Sequence, residues 1–183
     1  MDFDSFSHGQ IVSKLWLCEQ LEQYIDKNRD ITILGSWHNV LGFMLSIRKP
    51  GYYKNILGVD SDINVIEIAD KITNAWSFGE NQIRNLCENA NELEYSSNDV
   101  IINCSAEHFE STEWFDKIPE GTLVCIQSSD VTDPESPWFI RQPSSTIDKF
   151  VERYPLSKTH YLDTLSIDYT TWGYKRFMII GEK

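Results

Sequence analysis

A chain of 183 residues, 41% hydrophobic and 24% charged, has the proportions of one domain that buries a core without disulfides or a structural metal. With 28 acidic against 16 basic side chains the net charge is −12, which repels a phosphate backbone and excludes free nucleic acid as an expected partner. No apolar run reaches the roughly 20 residues that span a bilayer, and the acidic start MDFDSFSHGQ lacks the basic and apolar stretches of a signal peptide, so a cytoplasmic protein without a membrane partner is expected.

Residues 8–28 read as an amphipathic helix, with Ile11, Leu15, Cys18, Leu21 and Ile25 at helical spacing and Ser7 with Gln10 placed as a capping box. The run ITILG, 31–35, is apolar and ends in glycine, as a buried parallel strand does. A helix over 38–47 stops before Pro50, and a second strand, 56–59, ends on Asp60. Val65, Ile68, Ala69 and Ile72 then mark another helix. A weaker strand covers 83–87, a strong one 99–104, and a fifth 122–129 enters through Pro119 and Gly121. Segment 130–145 holds three of the six prolines and little periodicity, which predicts a surface loop and a candidate lid. A short helix over 147–154 precedes two β-rich segments, 159–169 and 176–181, joined through Trp172 and Gly173 as an antiparallel hairpin. The expectation is a single α/β domain over 1–183: an N-terminal helical element, 1–30, then a mostly parallel sheet with right-handed crossovers, closed by that hairpin.

In open α/β sheets ligands bind at the carboxyl ends of the strands, and the polar residues concentrate there. Gly35 and Gly42 bracket GSWHNVLG, a turn into a helix whose backbone N–H groups can meet a ligand, or which simply serves chain reversal and close packing. Asp60 follows Gly35 by 25 residues, where a carboxylate accepts from both hydroxyls of a ribose or caps the next helix. Asp62 is a secondary ribose candidate and a first-turn complement to the helix dipole. Asn89 with Ala90 can recognise an adenine or form an ordinary polar turn, and Asn103, Cys104 and Ser105 make the floor beneath the reactive end.

These positions together resemble the class I S-adenosylmethionine (SAM)-dependent methyltransferases over residues 31–182. In that resemblance 35–42 stands for the glycine-rich loop, with Ser36 and Trp37 among the cofactor contacts. Asp60 stands for the ribose-binding acid, Asn89 and Ala90 for the adenine contact, and 103–105 for the motif after the fourth strand. Ser36, Trp37 and His38 depart from the family's small residues, and Asn89 stands where an aspartate is common. The resemblance implies a Rossmann-like methyltransferase fold, SAM as cofactor, no metal, and a small-molecule or peptidic methyl acceptor.

Chemically able side chains follow the fourth strand in NCSAEHFE. His108 and Glu107 are the candidate catalytic residues, His108 to take a proton and Glu107 to orient a cationic amine or act as base, although an exposed loop without catalytic duty explains them equally simply. Cys104 and His108 are four apart, but no second Cys/His pair accompanies them, so no metal is expected. The four cysteines, without a CxxC pair, read as reduced and mostly buried. Trp37 suits a cationic sulfonium or the core. Lys14 is a candidate substrate contact on a helix that packing already explains, while Trp138 and Arg141 in the proline-rich segment are candidates for closing over the acceptor. A non-catalytic binding module and, more distantly, a nicotinamide-dependent oxidoreductase are the alternatives, and no pattern sets an oligomeric state.

Overall fold

The computed structural model describes residues 3–75, 82–133 and 140–183. Seven strands form one sheet: β1 (Asp30–Leu34), β2 (Asn55–Asp60), β3 (Gln82–Cys87), β4 (Asp99–Asn103), β5 (Leu123–Ser129), β6 (Lys158–Asp168) and β7 (Gly173–Glu182), in the order β3-β2-β1-β4-β5-β7-β6. The first five are parallel, and β7 runs antiparallel between β5 and β6. The expected mixed sheet and closing hairpin are both present.

Alternation within the strands sends side chains to two cores. Ile31, Ile33, Val100, Ile102 and Cys125 join the core under helices α1 (His8–Leu21) and α2 (Val40–Arg48). Leu34, Ile101, Val124 and Ile126 join the opposite core, where α4 (Glu113–Asp116) supplies Trp114 and Phe115 and α5 (Ile147–Arg153) supplies Phe150. Helix α3 (Ile63–Ala75) packs on β2 and β3. Strands apolar on both faces are what a covered parallel sheet requires.

Three local expectations are corrected. Helix α1 ends at Leu21 rather than 28. The capping box is not made: Ser7 forms no side-chain cap bond, and Gln10 Oε1 accepts from Lys14 Nζ instead. Helix α2 starts at Val40, not His38, because Trp37 and Asn39 are both left-handed, with φ of 53° and 51°. Of the cysteines, all four are free, Cys18 and Cys125 are buried, Cys104 is half-buried and Cys87 is exposed. Burial pushes the Cys18 thiol up to about 12, which leaves it protonated and inert.

Candidate functional site

The carboxyl edge of β1 turns at Gly35, whose φ of +59° is glycine territory and whose missing Cβ would lie 2.8 Å from Ser105 Oγ and 2.9 Å from Phe109 Cε2. Ser105 Oγ donates to the Gly35 carbonyl at 3.1 Å, so the turns after β1 and β4 are held together. The chain then passes Ser36 and Trp37 to Asn39, which caps α2 by accepting from the Gly42 N–H at 3.2 Å. Asn39 Nδ2 donates to Asn85 Oδ1 on β3 at 2.8 Å, and Asn85 in turn donates to Asp70 of α3. Room for the Asn39 amide exists because β2 has Gly58 beneath it.

Asp60 ends β2 half-buried, accepting from the Trp37 N–H at 3.0 Å through one oxygen and from the Asp62 N–H at 3.1 Å through the other. Each carboxylate oxygen retains acceptor capacity. The glycine turn and the acidic residue are therefore one hydrogen-bonded unit. Asp62 is exposed and accepts from the Asn64 N–H at 2.9 Å, the work of a helix cap. Asn89 is exposed at the end of β3 with its amide oxygen accepting from the Asn91 N–H at 3.0 Å, and Ala90 is nearly buried behind it. Asn103 is fully buried at the end of β4, its oxygen accepting from the Ser105 N–H, its Nδ2 without a protein partner. Ser36 Oγ is likewise buried and unpartnered. Polar atoms left so at a ligand edge are the ones a ligand would satisfy.

Glu107 and His108 diverge. His108 is exposed on the short 3-10 turn Ala106–His108. Glu107 is only 2% exposed, and its Oε1 is paired with Arg176. A carboxylate so engaged is no freely available base, which corrects the reading of Glu107 as a free catalytic group. Arg176 also donates to the Cys104 carbonyl. Burial alone would lower the Arg176 guanidinium, but Glu107, Tyr174 and Cys104 together outweigh it and hold it above the ordinary range. Lys14, from α1, is 5% exposed; burial lowers its ammonium, with Cys104, Arg176, Asp4 and Glu107 all close enough to act on it. Lys14, from the far end of the chain, is thus brought beside Cys104 and Glu107.

The Glu107 carbonyl accepts from the Arg141 and Gln142 N–H groups at 2.8 and 2.9 Å, so the end of the 130–145 segment reaches this site by its backbone while the Arg141 side chain is exposed. Arg153 pins the same stretch, donating to the Gln142 and Pro143 carbonyls and Ser144 Oγ. Trp138 and Phe139 lie outside the described residues. Arg176 and Gln127, whose Nε2 donates to the Ser13 carbonyl, were not singled out from sequence. The available signal for Arg176 was the basic pair Lys175–Arg176 opening the apolar run FMII, which in an antiparallel partner of β5 falls at the carboxyl edge.

No family model matches the sequence, and no curated protein matches it significantly. Solved structures do match. The YcgJ protein of Bacillus subtilis is similar with a TM-score of 0.68 and 14% identity, over 93% of this chain and 97% of that one. Magnesium protoporphyrin IX methyltransferase of Synechocystis, with bound SAH, has a TM-score of 0.65 and 11% identity over 94% and 82%. Geranyl diphosphate methyltransferase in complex with SAM has 0.67 and 10% over 93% and 84%. Identities this low speak for architecture alone: the chain has the Rossmann-like fold of the class I SAM-dependent methyltransferases.

Proposed function

We propose that the protein is a SAM-dependent methyltransferase acting on a small-molecule or peptidic acceptor. The observation that carries this reading is the unit formed by the left-handed Gly35 turn and Asp60, at the carboxyl edge of a sheet shared with enzymes solved with SAM or SAH. The residues fit the cofactor: Asp60 keeps acceptor capacity for ribose hydroxyls, and Ser36 Oγ and Asn103 Nδ2 are buried without partners on the adjoining floor. Asn89 and Ala90 bound the adenine end, and Trp37 borders the loop beside Asp60. When bound, the cofactor supplies a methyl group already activated as a sulfonium. What remains for this chain is to position the acceptor and exclude water. Glu107 and Arg176 fix each other, Lys14 faces them from α1, and Arg141 and Gln142 close over the Glu107 backbone.

Calorimetric titration with SAM and with SAH tests the reading. Both bind the parent protein, and Asp60→Ala weakens both by about tenfold or more, the loss of one charge-assisted contact set. Absence of binding by either, or an unchanged Asp60→Ala, contradicts it. A second reading, a domain that binds cofactor without turnover, draws on Glu107 being held by Arg176; product SAH formed with a cell extract excludes it. The nicotinamide alternative is disfavoured by the antiparallel β7 between β5 and β6, a reversal foreign to the dinucleotide-binding strand order.

A further inference from the structure

The ion pair behind Cys104 is incompletely used. Glu107 Oε1 engages Arg176, yet Glu107 Oε2 and Arg176 Nε are both buried and without a protein partner. A buried pair kept for stability satisfies its remaining lone pairs and protons, because each one left over costs desolvation energy that nothing returns. Here one acceptor and one donor stand idle on the same pair, on the face of the sheet that α1 covers. That face also brings Lys14, bonded to Gln10 Oε1 and within the field of Glu107, Arg176 and Cys104. A lysine at a packed helix position is an expensive choice where a methionine would fill the same space.

The charges constrain what fits. Lys14 and Arg176 are two cations; Glu107 and, at the rim on the 3-10 turn Phe3–Phe6, Asp4 are two carboxylates acting on Lys14. The rim turn is tied to the cofactor loop by Ser5 Oγ and His38 Nδ1 at 2.9 Å. A cluster already balanced admits a ligand of zero net charge more readily than an anion or a cation, each of which would add an uncompensated buried charge. The idle Oε2 calls for a donor, and the idle Nε with the Lys14 ammonium calls for an acceptor.

We propose that Lys14, Glu107 and Arg176 form the acceptor subsite and that the acceptor is an amino acid, its carboxylate received by Lys14 and Arg176 and its amino group by Glu107 Oε2. The subsite's place in catalysis rests on the methyltransferase reading; its ligand chemistry does not.

The test is calorimetric titration of the protein, with and without saturating SAH, using the standard amino acids and their N-methyl derivatives, with methylamine and acetate as half-ligands. At least one amino acid binds, and the two half-ligands bind it at least about tenfold more weakly, each forfeiting one charge-assisted set. Lys14→Met and Glu107→Gln each lower the amino-acid affinity by about tenfold or more while leaving SAH affinity unchanged. Lys14→Met leaves the Glu107–Arg176 pair intact, and a thermal melt verifies that it keeps the fold. If SAH binds and no amino acid does, or if Lys14→Met binds the amino acid as well as the parent, the subsite assignment is overturned. Failure of SAH itself to bind refutes the methyltransferase reading instead, and the titration without SAH still decides the amino-acid subsite.

Discussion

Glu107 was legible as a residue of interest and illegible in its role. Its place just past β4 follows from strand counting, but its partner lies 69 residues away on β7, and only the antiparallel insertion of that strand brings the two together. Because the pair is buried, Arg176→Met strips Glu107 of its hydrogen-bonded counter-charge and costs about 3–5 kcal/mol, whereas Glu107→Met with Arg176→Met restores most of the loss. Urea denaturation of the single and double variants measures both. If the single variant is as stable as the parent, the pair is not the buried contact described here. Lys14 gives a pH signature at the same scale. Burial holds its folded value below the ordinary 10.5, so between the two values the unfolded chain carries the extra proton and this lysine's contribution to stability rises with pH up to about 10.5. Lys14→Met flattens that alkaline rise, read from melting temperature against pH; a slope identical to the parent's contradicts the lysine's burial.

At the scale of elements, apolar runs located β1, β4 and β5 most clearly, because burial on both faces leaves a continuous hydrophobic signature, while the exposed edge strands β3 and β6 gave weaker ones. The turn from β1 into α2 escaped. Sequence pattern gives no warning that Trp37 adopts a left-handed backbone, and the capping role of Asn39 depends on Asn85, on a different strand. The expected capping box fails for a local reason instead, since a charged neighbour one turn along, Lys14, took the Gln10 side chain. Gly58 is the element-scale test. A Cβ there would stand 2.7 Å from Asn39 Cγ and 2.9 Å from Ser36 Oγ, so Gly58→Ala displaces the loop that carries the candidate cofactor contacts. The variant loses about 1–3 kcal/mol of stability by overpacking, and its SAH affinity falls with it. Gly121→Ala is the contrast, with a φ of +79° but nothing within 4 Å of a Cβ. That change leaves SAH affinity unchanged while costing stability through backbone strain alone. Equal effects of the two on SAH affinity would contradict the steric account of Gly58.

At the scale of the whole molecule, several buried polar atoms without protein partners meet at the carboxyl edge of the sheet. Ser36 and Asn103 lie over β1 and β4, Glu107 and Arg176 over β4 and β7, and Asp60 closes β2 beside them. The mostly parallel sheet with right-handed crossovers and its carboxyl edge were readable in advance because chain connectivity and handedness leave few alternatives once the strands are known. Which side chains meet across the edge was not, because that depends on where β7 inserts and how α1 docks. The central claim is that Asp60 and the turn after Gly35 hold the nucleoside of a SAM-type cofactor. A crystal structure of the protein grown with SAH tests it most directly: the account predicts both ribose hydroxyls on the Asp60 carboxylate with the adenine beside Asn89 and Ala90, and SAH bound elsewhere, or absent at saturating concentration, would contradict it.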